Sequence, residues 1–207
     1  MYPLLGQTLF KFRTRTYMVD YQICTPRLLL IPMTPGWMEA MREGGEKFKL
    51  ITGYILPEPY TEFPEAMDQI ILQLKTLQSS PPWLSYAIVR PSDAAYIGLA
   101  GFKRKPDESG MVEIGYEIAK GFQLQGYAHE VIRQLIREAF EHPEIKAILA
   151  HTLPLKNESN YLLIKNKFVF QQEVVDFEDG PVWQWILKRN AYQLAELHGE
   201  KIYQHTD

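Results

Sequence analysis

The chain has a single cysteine, and this scarcity excludes two classes of protein. Cys24 is the only cysteine among 207 residues, so no internal disulfide can form and a secreted disulfide scaffold is excluded. A cysteine-based zinc site is excluded as well, and the five histidines are scattered, so we expect no metal. Because Cys24 stands beside the strand-entry signal Thr25-Pro26, an incidental or buried thiol is favoured over a nucleophile.

Long apolar runs and an excess of one charge sign are also missing. The longest apolar run covers only residues 28–31, which is too short to span a bilayer. Residues 1–20 lack the apolar block of a signal peptide, so we expect a cytoplasmic protein without a membrane partner. The net charge is only -3, from 22 Lys and Arg against 25 Asp and Glu, which argues against a nucleic-acid partner.

The composition and the apolar periodicity predict one folded domain. Hydrophobic residues make up 46% and aromatic residues 13%, both sufficient for a packed core. Apolar residues from Ala128 to Phe140 recur at helical spacing and predict the clearest helix of the chain. Further helices are predicted from Thr34, from Pro64, over 158–166 and over 191–197, whereas 46–63 reads as an irregular loop over a site. Strands are predicted over 27–31, 83–89, 96–103, 111–118, 146–152, 168–177 and 182–187.

The order of these elements predicts the fold class. A single helix joins the strands at 111–118 and 146–152, which implies one parallel β-α-β crossover, whereas the tight turns elsewhere imply antiparallel pairs. We therefore predict an α+β, α/β-like fold with a mixed, mostly antiparallel sheet of about seven strands.

The junction before the best helix is the segment that indicates chemistry. Gly126 stands where the helix begins, and a helix start presents backbone N–H groups that have no intrahelical acceptor. Glycine lets an anion approach those groups closely, so a phosphate cradle is one interpretation. Many helices begin near a glycine and bind nothing, so the pattern alone leaves both interpretations open. The spacing matches neither a Walker loop nor a dinucleotide fingerprint.

Gln123-Leu124-Gln125-Gly126-Tyr127-Ala128 resembles the Gln/Arg-x-x-Gly-x-Gly/Ala signature of the GNAT superfamily of acyl-CoA-dependent N-acyltransferases. Segments 25–30, 113–116 and 126–130 look like the branch that contains the ribosomal-protein N-terminal acetyltransferases, and 159–168 resembles its second cofactor motif. The resemblance covers residues 23–188. It implies an N-terminal arm at 1–22, an acetyltransferase domain at 23–188 with the acyl-CoA N-acyltransferase fold, and a partly helical tail at 189–207.

The resemblance implies that acetyl-CoA, as co-substrate, lies between the strands at 111–118 and 146–152. Its pyrophosphate would meet the backbone N–H groups of residues 125–129, where the glycine loop (residues 123–126) leads into the helix. Its pantetheine would pair near Ile118 like an added strand. The residues to which the resemblance assigns cofactor binding are Ile118, Gln123, Leu124, Gln125, Gly126, Tyr127, Ala128, His129 and Asn157.

The transfer needs a base for the acceptor amine, and the strand at 111–118 offers two. Alternation places Glu113 and Glu117 on one face, and we expect Glu113 first and Glu117 second, because partial burial raises a carboxyl pKa. An ion pair between Glu113 and Lys103, or a solvated carboxylate, is an equally weighted alternative. His151 is a further candidate for a proton relay, although a structural role is favoured.

Several positions depart from the family pattern. The usual glycine before Phe168 is Lys167, the usual threonine after Ala128 is His129, and Asn157 is displaced by one residue. Leu163 stands where many members have a tyrosine that protonates the leaving thiolate, so Ser159 or a water would serve instead.

Two functions follow from the resemblance. The first is transfer of an acetyl group from acetyl-CoA to a primary amine, either a protein N-terminus or a small molecule. The second is an acyl-CoA-binding sensor or interaction module without turnover. The acceptor and the oligomeric state, including a homodimer, stay open.

Overall fold

The structure, a computed structural model, describes residues 21–76, 79–176 and 180–197, with only the backbone at 196 and 197. Its helices are α1 (Pro35–Glu43), α2 (Gly45–Thr52), α3 (Met67–Thr76), α4 (Tyr127–Glu141), α5 (Glu158–Lys165) and α6 (Arg189–Leu197). Its strands are β1 (Ile23–Cys24), β2 (Leu29–Pro32), β3 (Ser85–Arg90), β4 (Ala95–Phe102), β5 (Met111–Ile118), β6 (Ala147–Thr152), β7 (Val169–Asp176) and β8 (Gly180–Lys188). Short 3₁₀ helices occupy Pro64–Ala66 and Lys120–Phe122.

The eight strands form one sheet in the order β1-β2-β3-β4-β5-β6-β8-β7. All neighbouring pairs are antiparallel except β5 and β6, which are parallel and joined by α4. The predicted fold class is therefore confirmed, with β1 as the one strand beyond those predicted. The predicted arm at 1–22 lies largely outside the described residues, and the described part of the predicted tail at 189–207 is α6.

Helices cover the two faces of the sheet with separate apolar clusters. α4 buries seven residues, among them Val131, Ile132 and Leu135, against one face. Leu163 of α5 belongs to the same cluster. The second cluster joins α1, α2 and α3 to the opposite face of β3 and β4 through residues such as Phe48. Because both faces of β3 and β4 are covered, these strands are almost entirely buried and anchor the domain.

The region predicted as an irregular loop at 46–63 is partly wrong, because α2 occupies its first half. Gly44 separates α2 from α1, and Gly53 ends α2 in the left-handed conformation at a φ of 80°. Phe48 is fully buried in the second cluster, so tertiary packing stabilises a helix whose sequence pattern is weak. Only the remainder, 53–63, is largely irregular, and it passes over the end of β5.

Strands β5 and β6 separate after a short parallel ladder. Their pairing covers only three positions and ends at Glu113 and Leu149. Beyond that point β5 pairs with β4 through Ile118, and β6 pairs with β8 through Thr152. A gap therefore opens in the middle of the sheet. The chain leaves β5 at Ile118, beside this gap, and begins α4 at Tyr127.

Among the described residues no helix has the length and apolar character that crossing a bilayer requires. The same ranges contain no cluster of three or more histidine, cysteine or acidic side chains that would hold a metal ion.

Candidate active site

The first part of the site is the loop that starts α4. Gly126 is the N-cap residue in the left-handed conformation, with a φ of 79°, and no side chain caps the helix. Leu124 is left-handed too, with a φ of 58°, so the chain turns sharply twice before α4. In the described part of the chain, the backbone N–H groups of Gln125, Gly126, Tyr127 and Ala128 donate no hydrogen bond to a backbone carbonyl. These donors and the helix dipole create a local positive potential in a chain that has no excess positive charge.

The side chains of the glycine loop serve different purposes. Gln123 Nε2 donates to the carbonyl of Ile118 at 2.9 Å and to Glu62 Oε2 at 3.0 Å, so it ties the loop to β5 and to 53–63. Leu124 is 94% exposed and free to contact a ligand. The Nδ1 atom of His129 lies 3.1 Å from the buried Asn166 amide nitrogen, which ties the start of α4 to the end of α5.

Glu113 is held by Lys103, the residue after β4, and by His151 of β6. Its Oε1 lies 2.7 Å from Lys103 Nζ and 2.8 Å from His151 Nδ1. Burial acts to raise the pKa of Glu113, but the contacts with His151 and Lys103 outweigh it, and the net pKa is below the usual range. His151 Nε2 in turn faces the Gln184 amide at 3.2 Å. The ion pair with Lys103, which the sequence left as an alternative, is present, and Glu113 is a permanent carboxylate at neutral pH.

Glu117 lies on the same face of β5, four residues after Glu113, but in a different environment. It accepts hydrogen bonds from Thr61 Oγ1 at 2.9 Å and from the Glu62 backbone N–H at 2.5 Å. No cation described in the structure pairs with it. Burial, assisted by the negative charges of Glu62 and Glu65, raises the pKa of Glu117 in spite of those hydrogen bonds.

The opposite wall of the gap is the first turn of α5. Asn157 is the N-cap, and its side chain accepts from the Asn160 N–H at 3.1 Å, so its oxygen is already used. Ser159 is half-buried in the first turn, and its carbonyl lies 3.5 Å from the Tyr116 hydroxyl of β5. Burial raises the pKa of Tyr116 to about 12, so this phenol stays protonated at neutral pH. Leu163, one turn later, is fully buried.

The structure thus gathers most of the sequence candidates around one gap. Glu113 and Glu117 line the face of β5 away from α4, Ser159 stands across the gap, and the glycine loop closes one end. Sequence reasoning missed Thr61 and Glu62, because they contact Glu117 across more than fifty residues of chain. The only signal was the expectation that 46–63 covers a site.

A family model for the acetyltransferase (GNAT) domain matches residues 27–169. An uncharacterized N-acetyltransferase, p20 from Bacillus licheniformis, is 28% identical over 123 residues, which are 59% of this chain and 67% of that protein.

Two solved structures have the same fold. A RimL ribosomal L7/L12 alpha-N-protein acetyltransferase in complex with coenzyme A superposes with a TM-score of 0.58 at 17% identity, over 83% of this chain and 99% of that one. Mutant forms of the spermidine/spermine N-acetyltransferase SpeG from Vibrio cholerae superpose with a TM-score of 0.58 at 16% identity, over 82% and 98%.

The match with the family model covers well over half of the chain, and it includes β5, the glycine loop, α4, β6 and α5. The chain belongs to the GNAT acetyltransferase domain family.

Proposed function

We propose that this protein transfers an acetyl group from acetyl-CoA to a primary amine. The observation that supports the proposal most is the gap between β5 and β6, which opens beside the unpaired N–H groups of the glycine loop. An extended pantetheine arm needs a strand edge with free backbone groups, and a pyrophosphate needs convergent N–H donors. Both features lie side by side.

The cofactor assignments follow from this placement. The pyrophosphate is bound by the N–H groups of Gln125, Gly126, Tyr127 and Ala128, with that of His129 completing the turn. The pantetheine pairs along β5 up to Ile118. Gln123 and Asn157 act through the backbone that they hold, because their side chains already bond to protein atoms. Leu124 supplies apolar contact from the loop.

Glu117 is the better of the two candidate bases. A base must accept a proton near neutral pH, and the raised pKa of Glu117 brings it closer to that range, whereas Lys103 and His151 hold Glu113 as a carboxylate. The nearby carboxylates of Glu62 and Glu65 favour an acceptor that arrives as an ammonium ion. This preference reverses the order expected from the sequence.

In the reaction Glu117 takes one proton from the ammonium group, which frees the nitrogen lone pair. The nitrogen attacks the thioester carbon, and collapse of the tetrahedral intermediate breaks the carbon–sulfur bond. A second proton passes from the nitrogen to the departing thiolate, and the proton on Glu117 returns to solvent. Ser159, on the α5 side, is assigned to relay this second proton: its hydroxyl gives a proton to the sulfur and takes the one that leaves the nitrogen. The protonated phenol of Tyr116 beside it can donate a hydrogen bond to the sulfur.

The acceptor class is a primary amine on a protein N-terminus or on a small molecule. One structural neighbour is named for each kind of acceptor, a ribosomal-protein N-terminus and spermidine or spermine. The test is incubation with acetyl-CoA and a panel of peptides and polyamines, with detection of free thiol. Turnover supports the enzyme. Tight coenzyme A binding without turnover on any amine supports the binding module that the sequence left open, and no affinity for acetyl-CoA contradicts both.

A further inference from the structure

The back of the glycine loop is held by the turn between β1 and β2, at residues that the sequence did not connect with the site. Arg27 is the centre of this contact. Its Nη1 donates to the carbonyl of Gln125 at 3.0 Å, and its Nε donates to Glu130 Oε2 at 2.6 Å. The guanidinium also lies over the ring of Tyr127, 4.5 Å from the centroid. One side chain therefore contacts the loop and the first turn of α4 at three points.

Glu130 fixes the guanidinium in that position. Its carboxylate accepts from the Arg27 backbone N–H at 2.9 Å and from the Thr25 hydroxyl at 2.6 Å, in addition to the ion pair. Burial acts to raise the pKa of Glu130, but the hydrogen bonds from Thr25 and Arg27 outweigh it, and the pKa is lowered. The charge of Arg27 is therefore locally compensated, so its contribution is geometric more than a long-range attraction.

The bond to Gln125 has a consequence for ligand binding. The carbonyl of Gln125 and the N–H of Gly126 belong to one planar trans peptide, so they point in opposite directions. When Arg27 holds the carbonyl, the N–H of Gly126 is directed to the other side of the loop, away from the arginine. A Cβ at Gly126 would lie 3.4 Å from Arg27 Nη2, which confirms how closely the side chain backs the loop.

A second arginine holds the two ends of the loop. Arg90, at the end of β3, donates to the Tyr127 hydroxyl at 3.0 Å, and its guanidinium lies 4.7 Å from the centroid of Phe122. Asp93 pairs with Arg90 at 2.6 Å and compensates its charge in the same way. Arg90 thus contacts both Phe122, which precedes the glycine loop, and Tyr127, the first residue of α4.

We propose that Arg27, supported by Glu130, is a positioning residue for the acyl donor: it orients the peptide between Gln125 and Gly126 so that its N–H meets the donor's pyrophosphate. This inference rests on the proposed function, since it assumes that acetyl-CoA is the donor. The structure gives Arg27 no direct role in the chemistry, because its contacts lie behind the loop. Its loss should therefore weaken donors that carry a pyrophosphate and spare donors that lack one.

The experiment compares two acyl donors in the full chain. Arg27→Ala is expected to raise the dissociation constant of acetyl-CoA, measured by calorimetry, about 10- to 100-fold, the range for losing charge-assisted hydrogen bonds. With S-acetylpantetheine, which has no pyrophosphate, kcat/KM is expected to stay within about twofold of wild type. Arg42→Ala is the matched control, because it removes an ion pair of the same 2.6 Å length, to Asp68, on the surface of α1.

Each outcome separates this inference from the proposed function. Acetyl-CoA affinity that is the same in Arg27→Ala and Arg42→Ala overturns the positioning role, and so does an equal loss with both donors, which indicates a general structural defect. A wild-type chain that binds no acetyl-CoA overturns the proposed function itself. Should Arg27→Ala lose its native circular dichroism spectrum, Arg27→Lys takes its place, and its effect on acetyl-CoA is again compared with its effect on S-acetylpantetheine. Lysine keeps the positive charge beside Glu130 but lacks the branched guanidinium that also reaches Gln125.

Discussion

Exchanging either glutamate of β5 for glutamine discriminates between the two candidate bases. Glutamine has nearly the shape of glutamate but cannot accept the proton. At position 117 its amide oxygen can still accept from Thr61 and from the Glu62 N–H, so the fold should be retained. At position 113 its oxygen can still accept from His151 Nδ1, and only the pair with the partly exposed Lys103 is lost.

The expected magnitudes differ widely. Removing a general base costs about 10²- to 10⁴-fold in rate, so Glu117→Gln should lower kcat by about that factor with little change in the KM for acetyl-CoA. Glu113→Gln loses the ion pair with Lys103 but removes no proton acceptor from the proposed reaction, so kcat should fall less than about fivefold. The loss at Glu113 should instead appear as a small decrease in the free energy of unfolding.

The assay is the initial rate of thiol release at saturating acetyl-CoA, over a range of pH, with an amine identified from the acceptor panel. Because the folded state raises the pKa of Glu117, the wild-type rate should fall as the pH drops through a value above 4.5. Glu117→Gln should lack that acidic limb. A large loss in Glu113→Gln with near-normal activity in Glu117→Gln would refute the reasoning and restore the order expected from the sequence.

Three further predictions concern the loop, the ion pair and the helix cap. Gly126→Ala places a side chain at a φ of 79°, which should lower the free energy of unfolding in urea by about 1–2 kcal/mol and raise the KM for acetyl-CoA. Unchanged values for both would contradict the positional role of the glycine. The lowered pKa of Glu113 contributes stability that is complete above the usual pKa of 4.5 and is lost as the pH falls through the folded-state pKa. The free energy of unfolding in urea should therefore decline as the pH is lowered from 6 to 3, and Glu113→Gln should reduce that decline. Asn157→Ala should lose about 1 kcal/mol from the cap of α5 together with some acetyl-CoA affinity, and Asn157→Ser should recover most of both because serine also caps a helix. Reduced affinity in the serine variant, which keeps the cap, would instead assign the Asn157 side chain to the cofactor.

Features encoded within one element could be predicted from the sequence. The apolar period of α4 and the alternation in β5 are local properties, so both elements appear close to their predicted bounds, and the parallel crossover follows from their order. The glycine loop was recognisable because its donors come from consecutive residues. The face shared by Glu113 and Glu117 was likewise fixed by alternation.

The different environments of these two carboxylates are set by contacts between distant segments. His151 reaches Glu113 across 38 residues of chain and Thr61 reaches Glu117 across 56, and no local pattern records such pairs. The pKa of a carboxyl depends on burial and on the charges around it, so two glutamates on one face acquired opposite shifts. The sequence pattern of α2 is weak as well, and the helix forms because the burial of Phe48 in the core stabilises it. The sequence by itself determined the helices and strands with strong periodicity and the glycine loop, whose N–H donors come from consecutive residues. Only the tertiary structure decided which glutamate has the raised pKa and which arginine holds the loop, because both depend on contacts between distant segments.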